Sequence, residues 1–176
     1  MGCKEPADLP AKNKPSNSPP IAEGPSTPAT TREEFRSSAY QIGIALDHIA
    51  TALQITQAAK KGLKGQSLAR IEDALENING AGSRLAEYVD VIPTEDAVKA
   101  DPKSFEVTRK RQINDLNDSL FELREAESIA LNAADFANEP AKSHLDTAGK
   151  AIAIAEDDII GAIEALGGKA ESGGEG

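Results

Sequence analysis

The stretch TREEFRSSAYQIGIALDHIATALQITQAAKKG, residues 31–62, decides the fold. Phe35, Ala39, Ile42, Leu46, Ile49 and Leu53 recur at alternating steps of four and three. That spacing returns every apolar side chain to one stripe of a 3.6-residue helix. Thr31 and Glu34 stand as a capping box, each side chain placed to accept the other residue's free backbone N–H. Gly62 and Gly65 end the run, because glycine readily takes the left-handed conformation that closes a helix.

Three further segments repeat the pattern. One starts near Ser67 and carries Leu68, Ile71, Leu75, Ile78, Gly82, Leu85, Val89 and Ile92 until Pro93 stops it. The next opens with Asp101 as cap and Pro102 in the first helical position, where the missing N–H costs nothing. Its seam is Ile113, Leu116, Leu120, Leu123, Glu127, Ala130 or Leu131, and Ala134, and Asn138-Glu139-Pro140 breaks it. The last reads Leu145, Ala148, Ile152, Ala155, Ile159, Ala162 or Ile163, and Leu166, with Gly167-Gly168 closing it. Four amphipathic helices joined by short connections predict an all-α, antiparallel up-down-up-down four-helix bundle over residues 31–167. At 1.5 Å per residue the rod would be about 40–50 Å long.

Composition agrees with a helical core. Aromatic residues make up only 3% of the chain and Trp is absent, while Ala, Leu and Ile are abundant. The net charge is −10, and residues 1–30 hold three lysines against three acids, so the excess acid lies on the bundle and the tail. Such a surface repels phosphate backbones and points away from nucleic acid. Arg109-Lys110-Arg111 is the single basic cluster and reads as a solvated helix face. No apolar run reaches the roughly 18–20 residues needed to span a bilayer.

The raw material for catalysis is thin. His48 and His144 are the only histidines, and neither follows a Glu at the spacing a di-iron bundle uses. His48 falls on the outer face of its helix and His144 in a first turn, so no shared metal is expected. One cysteine and two histidines offer no nucleophile–base–acid set and no cysteine metal cluster, so an enzyme is not expected. The layout resembles the small haem-binding four-helix cytochromes across residues 31–166, in topology alone. Cys-x-x-Cys-His is absent and the sole Met is Met1, so no haem ligand carries over and no cofactor is expected.

Two features interrupt the apolar pattern. Glu127 sits on the third seam as a candidate buried acid, whose carboxyl would be driven toward its neutral form. On the favoured reading, Ala130, Leu131 and Ala134 shift the seam and leave Glu127 at its edge. Asn79-Gly80-Ala81-Gly82 puts two glycines in mid-helix, each at a cost of about 1 kcal/mol against alanine, and close helix approach is the expected compensation. On the first helix, Tyr40, Ile44 and Ile55 lie off the main seam and form a candidate surface for a protein partner or homodimer.

The N-terminal stretch MGCKEPADLPAKNKPSNSPPIAEGPSTPAT, residues 1–30, carries seven prolines and no apolar period. It reads as a disordered tether, with an end-to-end distance on the order of 30 Å. Gly2-Cys3 followed by a Pro/Ser-rich run resembles the end of the lipobox and the tether of bacterial lipoproteins. The resemblance implies that Cys3 is the lipidated mature N-terminus, and that Lys4 after it suits an outer-membrane anchor facing the periplasm. Acyl chains would hold an acidic bundle to a membrane at about 0.8 kcal/mol per buried CH₂. The expected function is a non-enzymatic, lipid-anchored cell-envelope bundle with a binding or structural role. A soluble cytoplasmic four-helix interaction protein is the alternative, with a metal-binding or cofactor-binding bundle behind it. Residues 168–176 read as a short disordered tail.

Overall fold

Residues 28–171 are described by a computed structural model, and within them the chain is all-helical. Five helices follow in order: α1 (Pro28–Lys60), α2 (Gly65–Ala86), α3 (Glu95–Ala100), α4 (Pro102–Ala134) and α5 (Ala141–Ala165). Cys3, most of the expected tether and residues 172–176 lie outside the described residues.

Most predicted seam residues lie on the buried stripes, but Leu46, Leu53, Leu68 and Leu75 are half-buried at the stripe edges, and Ile92 and Leu131 are exposed. Ile42 and Ile49 of α1, Ile78 and Leu85 of α2, Leu116, Leu120 and Leu123 of α4, and Ile152 and Ile159 of α5 fill one interior cluster, all at 2% exposure or less. A second cluster lies where α1 gives way to α2 and α4 to α5, around Ala59, Leu63, Ile71, Ala134 and Leu145. α1 packs against α5 and α2, and α4 packs against α2 and α5. Each long helix therefore buries its stripe against two others, which removes a wide apolar arc from water.

Small residues set the closeness of these contacts. A Cβ at Gly82 would lie 3.1 Å from Ile49 Cγ2, so α1 and α2 meet as closely as glycine allows. This is the close approach expected of the Asn79–Gly82 stretch. The end of α5 is a Schellman motif: Gly168 N–H donates to Ile163 C=O at 2.9 Å and Gly167 N–H to Glu164 C=O at 2.8 Å. Gly167 has φ +71°, a conformation that glycine takes without the strain a Cβ brings. Asp101 accepts from Ser104 N–H at 3.1 Å, with Pro102 in the first turn, as expected.

Local departures have local causes. α1 begins at Pro28, ahead of Thr31, and Thr31 is buried inside it. The Thr31–Glu34 capping box does not form; Glu34 instead takes a hydrogen bond from Arg109 of α4. Arg109 is thereby removed from the solvated basic face expected for residues 109–111, its side chain only 15% exposed. α2 stops at Ala86, short of Ile92, and the chain turns so that Tyr88 is buried and donates to Asp115 of α4. The expected loop before Asp101 contains α3, capped by Thr94, whose Oγ1 accepts from Ala97 N–H at 3.3 Å. Residues 168–171, expected to begin a disordered tail, lie along α4 instead.

Candidate functional site

The sequence Glu156-Asp157-Asp158 puts three carboxyls on consecutive positions of α5. At 100° per residue they fan around the helix, so Glu156 and Asp158 point to opposite flanks and Asp157 to solvent between them. Glu156 reaches α4, where its Oε2 lies 3.6 Å from Arg124 Nε. Asp158 reaches α1, with Oδ2 3.9 Å from His48 Nε2. His48 is thus half-buried at the α1–α5 border, where the helical wheel had put it on an outer face.

The α4–α5 flank is the more perturbed of the two. The Glu156 side chain is only 13% exposed, and its Oε1 is buried without a hydrogen-bond partner. Burial pushes its carboxyl up to about 7, the charge of Glu127 adds to the rise, and Arg124 opposes it. Glu127 follows Arg124 by three positions on α4 and is half-buried. Its Cγ would touch a Cβ at Gly149 at 4.0 Å, which places it over α5. Glu127, the acid singled out from the sequence, thus stands as neighbour to the group that is shifted. This arrangement can take up or release a proton near neutral pH.

On the α1–α5 flank Asp158 is also raised, by burial first, with His48 opposing. Asp158 Oδ2 is a buried atom without a hydrogen bond. Gln41 packs where Gly161 lacks a side chain, 3.6 Å from the place of its Cβ. Ile44 is three positions beyond Gln41 and Ile55 seven beyond His48, so both share the stripe that borders α5, and both are half-buried. Tyr40 is 68% exposed. Of the three residues expected to form a partner surface, one therefore stands clear of the bundle and two flank a helix border.

A third polar contact ties the end of α2 to α4. Tyr88 donates to Asp115, and Arg111 Nε lies 3.7 Å from the same carboxylate. Burial first, then the bond to Asp115, pushes the Tyr88 hydroxyl up to about 12. Among the described residues no cluster of three or more His, Cys, Asp or Glu side chains is arranged to hold a metal ion. No helix in them is long and apolar enough to cross a membrane. Glu156 and Asp158 are the site residues the sequence did not single out. Glu156 follows seam residue Ala155, a flank position visible in the periodicity, but nothing in the pattern names its partners. Compared with protein-family models, curated proteins and solved structures, the chain matches none.

Proposed function

We propose that this chain is a non-enzymatic, antiparallel up-down-up-down four-helix bundle with a binding or structural role, held to a bacterial cell envelope by acyl chains on Cys3. Pairings between helices support the antiparallel order. Gly82 of α2 lies by Ile49 of α1, and Val89, just beyond α2, lies by Gly43 of α1. Arg84 meets Glu122 and Tyr88 meets Asp115 toward α4. Arg124 meets Glu156 and Leu131 meets Gly149 across α4 and α5, while His48 meets Asp158 and Gly62 meets Ala141 across α1 and α5. In each set, residue numbers rise on one helix as they fall on the other.

One observation carries the functional reading: the space between the four long helices is filled mainly by aliphatic side chains, with Ile42, Ile78, Leu123 and Ile159 at zero exposure, and its buried Gln112 is hydrogen-bonded to Ser38. Work is then left to the outer faces, of which the Tyr40, Ile44 and Ile55 stripe is the proposed partner or homodimer surface. The Cys3 anchor is supported by the Gly2-Cys3 lipobox-like step and the Pro/Ser-rich run after it.

The deciding measurement is the intact mass of the N-terminal peptide from source cells, together with membrane fractionation. Acyl chains on Cys3, with Met1 and Gly2 removed and the protein in the envelope fraction, are the expected result. An unmodified chain beginning at Met1 or Gly2 in the soluble fraction overturns the anchor and leaves a cytoplasmic interaction bundle.

A further inference from the structure

The chain does not leave the bundle at the end of α5. After Gly167 it turns back, and residues 168–171 run along α4 in non-helical conformation. Asn117 holds them with both ends of its carboxamide: Nδ2 donates to Lys169 C=O at 3.4 Å, and Oδ1 accepts from Glu171 N–H at 2.9 Å. A carboxamide that bonds a C=O and the N–H two residues on takes the place of a peptide group in a neighbouring strand. Arg124 Nη1 donates to Glu171 C=O at 2.7 Å. Asn117 and Arg124, two helical turns apart on α4, thus take the N–H and the C=O of the same residue, Glu171.

All three bonds go to main-chain atoms, so selectivity comes from the space around them. A Cβ at Gly168 would meet Ile113 and Ile163 methyl carbons at 3.0 Å, a tight fit that favours glycine. Ala170 packs against the main apolar cluster. Gly168 and Ala170 are half-buried, while Lys169 and Glu171 are exposed. That alternation is the two-residue period of an extended peptide lying with one edge inward. The segment therefore favours small residues at its first and third positions, with the second and fourth turned to solvent.

We propose that Asn117 and Arg124 form a main-chain-reading peptide site on α4, filled in cis by residues 168–171, and that the same C-terminal segment of a second copy is the partner it fits when the cis segment is displaced. The segment follows α5 through Gly167-Gly168, so exchange opens the cap bond from Gly168 N–H to Ile163 C=O and leaves the helices folded. A second copy presents the same main-chain atoms and the same small residues. This inference stands independently of any anchor on Cys3.

The test uses the full chain with its own segment dislodged in two ways. Ala170→Asp places a carboxylate against the apolar cluster, and Glu171→Pro removes the N–H that Asn117 accepts. The probe is a synthetic peptide of residues 166–176, titrated to a few mM, since a tethered segment competes at mM effective concentration. Binding is read by NMR on the Ile113 methyls and the Arg124 side chain. Saturable shifts are expected in both variants, roughly tenfold weaker in the unaltered chain because the tethered copy competes, and absent once Asn117→Ala is added. Failure of the peptide to bind either opened variant overturns the proposal, as does binding that survives Asn117→Ala. In the unaltered chain the Glu171 amide should be protected from hydrogen exchange and lose that protection in Asn117→Ala; an unprotected amide overturns the site itself.

Discussion

Arg84 of α2 and Glu122 of α4 are joined by two parallel hydrogen bonds, of 3.1 and 2.9 Å, beside Gly80 of α2. The pairing raises the Arg84 guanidinium, chiefly through the hydrogen bond to Glu122. Gly80 lies beneath it, where a Cβ would come 3.3 Å from Glu122 Oε2. The fork geometry holds two helices in register as well as in contact.

Gly80 and Gly82 should respond to alanine in opposite ways. At Gly80 the crowding atom is the terminal oxygen of half-buried Glu122, which can give by a few tenths of an ångström together with Arg84, so Gly80→Ala is expected to stabilise by up to about 1 kcal/mol. At Gly82 the crowding atom belongs to Ile49, which is fixed in the core, so Gly82→Ala is expected to destabilise. Urea midpoints for the two variants check this, and a gain at both positions would mean that α1 and α2 are not held apart by Ile49.

The Glu156 carboxyl gives a pH dependence of definite sign. Its ordinary value of 4.5 rises to about 7 in the fold, so the native state holds more protons than the unfolded chain between those values. Stability therefore falls as pH rises from about 4.5 to about 7 and is level above it, with a contribution on the order of 1–3 kcal/mol. Asp158, also raised, contributes a fall of the same sign. Glu156→Gln should flatten much of that slope and be more stable than the parent at pH 7.5. Denaturant curves at pH 5 and pH 7.5 for both proteins provide the measurement, and an unchanged slope would exclude Glu156 as its source.

Burial separates core positions from faces. Ile159→Ala removes a fully buried side chain and should cost about 2–5 kcal/mol. Tyr40→Ala removes an exposed one and should stay within about 0.5 kcal/mol. Ile44→Lys should fall between, because its position at the α5 border is half-buried. Thermal melts followed by circular dichroism rank the three.

Helix ends can be probed singly. Asp101→Ala removes the acceptor for Ser104 N–H and is expected to cost about 1 kcal/mol. Gly167→Ala forces a Cβ into a left-handed residue and should cost about 1–2 kcal/mol. Hydrogen exchange should then rise locally at the start of α4 and at the end of α5. A uniform rise along the chain would instead show that neither end opens by itself.

Much of the helix layout was legible along the chain, and the reason is periodicity. Seam residues such as Ile42, Ile78 and Ile159 repeat at helical spacing over many turns, and Asp101-Pro102 and Gly167-Gly168 mark ends through their own backbone chemistry. α3 escaped because six residues are too few to show a period. The Thr31–Glu34 pair was misleading because Arg109, 75 residues from Glu34, competes for its carboxylate.

The sequence by itself determined that this protein is helical, where most of its helices run and which stripe of each turns inward. An apolar period reports the angle of a side chain about its own helix, and burial follows that angle. Only the tertiary structure decided that Glu156 would face Glu127 and Arg124 while Asp158, two residues on, would face His48. It alone folded Lys169 and Glu171 onto Asn117, which stands 52 and 54 residues before them. Polar partners on the flanks depend on which helices dock and at what height. That choice is made by the packing of the whole interior, and no single helix carries it.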